Sequence, residues 1–361
     1  MSESSINLPH VVGIAEARPR WWLFTPAVDL SVFLGSAVVA VFALFVGARF
    51  GVQETPDWTW IWAILLIDVA HVWATNFRVY FDAAEVRRRP ALYILTPLVA
   101  LSLGIALYSE SDIWFWRSLA YLAVFHFVRQ QYGWVALYRA RTGEQGRAGK
   151  WIDTMAVYMA TLYPLAYWHT HLPREFWWFL KNDFAPLPAL VERVLWPVYC
   201  LSLGVYFARS LYRWLIKREI NPGKDIVVGT TAVCWYLGIV ALNSDYAFAV
   251  TNVIIHGVPY LALVYFHARR RRTASHPFYR TLARSPLIFL ATIWVFAFVE
   301  ELLWHRSVWH ERAWLFGGAW EAFAEFKFII VPLLALPQLT HYLLDGFIWR
   351  RRGNPDLRLS D

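Results

Sequence analysis

Charge and cysteine are both scarce in this chain. Only 17% of its 361 residues are Asp, Glu, Lys or Arg, and it holds two cysteines, Cys200 and Cys234. Both cysteines fall inside apolar runs, which excludes a disulfide framework and leaves them as small buried hydrophobes. No short apolar core precedes a small-residue cleavage site. The first twenty residues instead carry Glu3, Glu16, Arg18 and Arg20, so no cleavable signal peptide is expected. Low-complexity segments and internal repeats are missing as well. The net charge of +8 is spread between the apolar runs and not gathered in one domain, so no nucleic-acid partner is expected.

What is present is hydrophobicity, at 58% of residues, in runs of about twenty that match the thickness of a bilayer. The pattern predicts an all-α polytopic membrane bundle of about ten spans: 28–47, 58–76, 92–108, 113–137, 152–168, 190–211, 226–242, 246–266, 287–303 and 328–349. The chain then divides into an N-terminal tail (1–27), one transmembrane domain (28–349) and a basic C-terminal tail (350–361). Many of the 22 Trp and 18 Tyr lie near span ends, as an interfacial aromatic belt requires. Basic residues cluster before the first span and after every even-numbered one, for instance Arg87 to Arg89 and Arg269 to Arg272. By the positive-inside rule both termini are cytoplasmic, and a bacterial inner (plasma) membrane is the expected location. The segments 168–189 and 304–327 are the longest non-cytoplasmic connections, each long enough for a short helix or lid.

Four spans carry polar residues at helical spacing. The last holds Gln338, His341 and Asp345; the second holds Asp68, His71, Thr75, Arg78 and Asp82. In the fourth, His126 and Gln130 share a face with Arg129 and Gly133, and in the eighth Asn252, His256 and Tyr260 recur every four residues, with His267 beyond them. All four spans are even-numbered and therefore run the same way. Their histidines lie some five to twelve residues before the cytoplasmic end, roughly 8–18 Å at 1.5 Å per residue. One histidine on an apolar helix is ordinarily a hydrogen-bonded packing residue. Four at one depth, each with a polar neighbour a turn away, are expected to converge on one functional site.

Imidazoles backed by oxygen groups are the donor set of a metal site in a helical bundle. His71, His126, His256 and His341 are the expected ligands, with Asp68 or Asp345 as carboxylate ligand or orienting group. Nitrogen and oxygen donors without thiolate suit iron first and zinc second. Gln130, Tyr260 and Arg129 are expected beside the substrate: Tyr260 as a possible proton source, and Arg129 as a binder of an acidic headgroup or a snorkelling cation. A site buried among apolar helices implies a membrane lipid or other lipid-soluble substrate such as an isoprenoid, and redox chemistry implies an electron-donor protein. His169, His171, His305 and His310 are read as surface polarity, Glu300 and Glu301 as a cap on an external vestibule, and Arg78 with Asp82 as a solvated pair.

At the level of a class, intramembrane histidines with polar partners toward the cytoplasmic side resemble those of the histidine-rich membrane oxygenases, which include fatty-acid desaturases, hydroxylases and carotene dioxygenases. That resemblance implies an iron-dependent oxidation of a lipid. The chain departs from the desaturase pattern in having no HxxxH or HxxHH box and one histidine per helix. Two other classes stay open on the residues alone. One is a proton-coupled transporter using the His and Asp residues as a relay, with the eighth span broken at Gly257 and Pro259. The other is a non-catalytic membrane scaffold.

Overall fold

Helices make up every regular element among the described residues, and each of the ten predicted spans falls within a helical unit, overrunning it by at most one residue, the last within a bent pair. The computed structural model describes residues 21–271, 277–350 and 354. Most of the two predicted tails, with Arg18, Arg20, Arg272, Arg351 and Arg352, lies outside the described residues. The units are α1 (Pro26–Arg49), α2 (Asp57–Arg78), α3 (Pro90–Glu110), α4 (Asp112–Thr142), α5 (Arg147–Thr170), α6 (Ala189–Lys217), α7 (Pro222–Ala241), α8 (Asp245–Arg271) and α9 (Pro286–Trp309). The last, α10, is a pair, Lys327–Leu334 and Leu336–Ile348, bent by 43°. Pro332 and Pro337 flank that bend, and each removes a backbone donor from the helical ladder.

The helix ends follow from local chemistry. Pro26, Pro222 and Pro286 sit in the first turns of α1, α7 and α9, where a missing amide costs nothing. Thr25, Asn221 and Ser285 cap the same helices, accepting from Val28 N (3.2 Å), Lys224 N (3.3 Å) and Ile288 N (3.3 Å). Gly143 ends α4 in the left-handed region (φ 67°), which a side chain would disfavour.

Seven of the ten units are long and apolar enough to cross a membrane, and the bent α10 makes eight. Helices α4 and α5 are long enough but fall outside that set. Asp112, Arg117, Arg129, Arg139 and Arg141 dilute the first, and Arg147, Lys150 and Asp153 the second. Burial is graded across the bundle: 89% of the apolar window of α8 is enclosed, against 11% of that of α6. Helix α8 is the axis, packed against α1, α2 and α7. Small residues allow the approach. A Cβ on Gly257 would stand 2.5 Å from Ile67 Cγ2 on α2, and one on Gly238 of α7 would stand 2.0 Å from Thr251 Oγ1. Thus Gly257 and Pro259 do not break the eighth span as a discontinuous helix would require; α8 is continuous through both, and the break lies in α10.

Several charges expected to serve topology alone are tied together inside the bundle. Lys224 Nζ donates to Glu144 (2.8 and 2.9 Å) and Asp153 (3.1 Å), Arg213 to Glu144 (2.7 Å), and Arg209 to Asp153 (3.0 Å). Arg139 reaches both acids, so α4 to α7 share one ionic knot. Burial pushes the Glu144 carboxyl up, but Lys224, Asn221 and Arg213 more than offset it and hold its pKa at about 2.

Other expectations are corrected by packing. Arg78 and Asp82 are not a solvated pair: α2 stops at Arg78, the buried Arg78 meets Glu85 (3.4 Å), and Asp82 accepts from Arg271 (2.7 Å). His169 and His305 are buried, whereas His171 and His310 are exposed. The aromatic segment after α5 folds back so that Phe184 stacks on His169, and Phe316 stacks on His305. Glu300 accepts from Trp73 (2.5 Å) and Glu301 lies 3.4 Å from His305, which places both acids inside the bundle and away from any vestibule. Cys234 is buried and Cys200 exposed, both as free thiols.

Candidate metal centre

Helices α2, α4, α8 and α10 each deliver one buried imidazole to a single point. His71 Nε2 and His256 Nε2 lie 3.1 Å apart, and His126 Nε2 and His341 Nε2 lie 3.2 Å apart. The ring centroids of His126 and His256 are 5.0 Å apart, and those of His71 and His341 4.9 Å, so the two pairs form one cluster. Sequence spacing placed the histidines on polar helical faces; the crossing of four helices turns those faces toward one another.

Three of the four outward nitrogens lie near oxygen. His71 Nδ1 is 3.5 Å from Asp68 Oδ1, and His341 Nδ1 is 2.7 Å from the Thr75 hydroxyl. Asp345 presents Oδ2 to His126 Nδ1 and Oδ1 to His341 Nδ1, each at 3.8 Å. The Tyr260 hydroxyl donates to Asp345 Oδ1 (2.7 Å), as does Trp349 Nε1 (3.2 Å). Thr75 is also 3.1 Å from the Tyr260 hydroxyl, which closes a ring of polar groups behind His341. The Phe127 ring lies flat on His256 (3.5 Å between centroids, 6°) and Tyr342 covers His126 at 4.9 Å.

The cluster fits a cation on two grounds. A neutral imidazole has one N–H and one lone pair. In a direct Nε2–Nε2 hydrogen bond one ring must donate and is left with a buried lone pair at Nδ1. Among the described residues neither His71 Nδ1 nor His256 Nδ1 has a hydrogen-bond partner. A cation among the Nε2 atoms accounts for the facing contacts directly, because every ring can then present a lone pair inward. The second ground is distance. Nitrogens bound to one ion at roughly 2.0–2.1 Å lie at most about 4.2 Å apart, and the two facing pairs are inside that limit. The ligand atoms of His71, His126 and His256 all fall within 4.8 Å of one another, as do those of His126, His341 and Asp345.

A cavity of about 710 Å³ opens against one side of the cluster. Its walls come from α4, α5, α8 and α10, and His126, Gln130, Tyr260, Tyr342 and Asp345 border it. Gln130 is held in place by donating to the His256 carbonyl (2.8 Å), and Arg129 lies beside it in the same wall. Asp68 stands on the far side, behind His71. The site residues read from the sequence are therefore brought together, with Asp68 and the cavity on opposite flanks. Sequence reasoning passed over Trp349, Phe127 and Tyr342 as site residues. An aromatic residue near a helix carries no signal that separates a ring packed on a histidine from an interfacial one.

No family model matches the chain, and comparison with curated proteins and with solved structures returned no match.

Proposed function

We propose that the chain is a multi-pass integral membrane metalloenzyme that oxidises a lipid-soluble substrate. The membrane reading is supported by apolar side chains turned outward on the peripheral helices. Phe42 (67% exposed) and Phe45 (72%) on α1, and Leu201 (67%) on α6, form surfaces that water would not tolerate over such an area. Helices α4 and α5 cross with the rest in this reading and, apart from Arg129 in the cavity wall, carry their charges near the ends or in the ionic knot. The metal reading is carried by one observation: four Nε2 atoms facing inward in two close pairs, with the outward nitrogens of three rings toward oxygen groups.

His71, His126, His256 and His341 would hold the ion through their Nε2 atoms, with Asp345 behind the outward nitrogens of His126 and His341 and Asp68 behind that of His71. The donors are nitrogen and oxygen with no thiolate, which favours iron and then zinc. Iron in such a site supplies oxygen activation toward C–H or C=C bonds that acid–base groups cannot attack. The chain's own groups do the rest. Asp345 and Tyr260 share a proton at the cavity edge, Phe127 and Tyr342 exclude water from the rings, and the apolar walls admit a hydrocarbon. An electron-donor protein is the partner this chemistry requires.

Metal content of the detergent-purified, metal-supplemented protein tests this. About one or two iron or zinc ions per chain are expected in the wild type. They should be lost in His256→Ala and His341→Ala while both variants keep a monodisperse elution profile. A wild type without stoichiometric metal would end the proposal. The second reading, a proton-coupled carrier, is favoured by the bend in α10 close to the polar site. Metal-free protein that carries protons across liposome membranes would establish it instead.

A further inference from the structure

We propose that the cavity takes an amphiphile with an anionic group, a carboxylate or a phosphate, and that Arg129 with the Tyr158 hydroxyl receives that group; this rests on reading the histidine cluster as a metal centre. The cavity follows α4 from Tyr121 to Leu137, about 24 Å of helix at 1.5 Å per residue. Its lining is mainly apolar. Near the middle of its length, one turn from His126, the Arg129 guanidinium donates to the Tyr158 hydroxyl and lies over the Tyr132 ring at 5.0 Å.

Among the described residues no acid pairs with its charge. The buried cations among them are balanced, Arg78 by Glu85 and Lys224 by Glu144 and Asp153, whereas Arg129 is exposed along the cavity wall. Among the described residues Arg129 contacts the Tyr158 hydroxyl and the Tyr132 ring. A cation in an apolar wall needs either water within reach or a counter-ion. The planar fork of Arg matches the two oxygens of a carboxylate or phosphate, and Tyr158 orients it. An anion seated there brings the carbons next to the headgroup alongside His126 and Asp345 and leaves the long apolar tail to the rest of the channel. Position along the substrate is thereby selected by distance from the charged end.

Equilibrium binding in neutral detergent at pH 8 separates the possibilities. The probes are radiolabelled oleic acid, dioleoyl phosphatidic acid and oleyl alcohol, and the proteins are the full-length wild type, R129Q, R129K and R350Q. Metal content and elution profile are measured on the same samples. An anionic probe should bind the wild type at least about 10-fold more tightly than the alcohol, the scale of a charge-assisted hydrogen bond. That preference should vanish in R129Q, recover in part in R129K, and persist in R350Q, whose charge lies at another point of the lining. Preference for the free acid or for the phosphatidic acid identifies which source of the anion the cavity accepts. Equal binding of acid and alcohol, or a preference that survives R129Q, would leave Arg129 a snorkelling cation and overturn the inference. Metal-free wild type with an Arg129-dependent preference would remove the metal reading and keep the anion site. Bound metal with no preference would do the reverse.

Discussion

Thr75 illustrates how much of the site depends on single polar atoms. Its hydroxyl lies 2.7 Å from His341 Nδ1 and 3.1 Å from the Tyr260 hydroxyl, so it sets both the orientation of one imidazole and the position of a phenol. Groups that orient a ligand's second nitrogen typically govern 10–100-fold in metal affinity. Thr75→Val should weaken metal binding by about that factor, whereas Thr75→Ser should retain it; competition with a chromogenic chelator reads the difference. Spacing put Thr75 on the polar face of the second span. Threonine in an apolar helix, however, is ordinarily bonded to its own backbone, as Thr161 is to the Tyr158 carbonyl at 2.9 Å, and nothing in the sequence assigned Thr75 its imidazole partner.

The histidines themselves were legible because the polar faces of α2, α4, α8 and α10 interrupt apolar runs at helical spacing. Their inward and outward nitrogens were not. Which one faces the cluster depends on side-chain rotamers set by neighbours such as Phe127 and Tyr342, which belong to packing and not to spacing.

Helices are held at the distances the site requires by small residues and by the ionic knot. Gly257 lets α8 pass α2 at the level of His71 and His256, with Ile67 Cγ2 at 2.5 Å from where a Cβ would lie and the Ile67 carbonyl oxygen at 3.3 Å. Gly257→Val should cost about 1–3 kcal/mol through overpacking, read as a lower thermal midpoint in detergent, together with weaker metal binding. No change in either would mean that α8 can shift freely.

Glu144 joins α4, α6 and α7 through Arg139, Arg213 and Lys224. Its pKa is held at about 2 against an ordinary 4.5, so the folded state binds its proton less readily than the unfolded chain does. That stability is fully present above about pH 4.5 and is lost as the pH falls toward 2. Glu144→Gln should lower the thermal midpoint at pH 7 and show a shallower loss than the wild type between pH 5 and pH 3. Parallel curves for the two proteins would contradict this assignment. The knot was invisible in the sequence because its basic members sit where topology also demands positive charge. Only contact with Glu144 and Asp153 distinguishes the two roles.

Across the whole molecule, the site links four helices that are far apart in the chain. Thr75 and His341 are 266 residues apart, His71 and His256 185. A cation held at their junction would bind the folded protein and not the unfolded chain, and would stabilise it by mass action, by about 4 kcal/mol at a thousandfold excess over its dissociation constant. Exhaustive chelation should therefore lower the thermal midpoint of the wild type and leave that of a His126→Ala variant unchanged. Equal shifts in both proteins would place the chelator's effect elsewhere.

Local sequence suffices to locate the helices and to say which of them carry polar groups. An α-helix closes its hydrogen bonds within a few residues, so a run of apolar side chains, a proline in the first turn and an Asn, Ser or Thr cap locate it without reference to the rest of the chain. Charge also follows from position, although α4 and α5 show that length and spacing alone do not establish a crossing. Only the tertiary structure decided that the four histidines meet in facing Nε2 pairs, that the last helix and not the eighth is broken, and that a cavity runs beside α4 with Arg129 in its wall. These depend on how helices cross, and crossing is settled by side-chain volume between segments hundreds of residues apart, a quantity that no local pattern records.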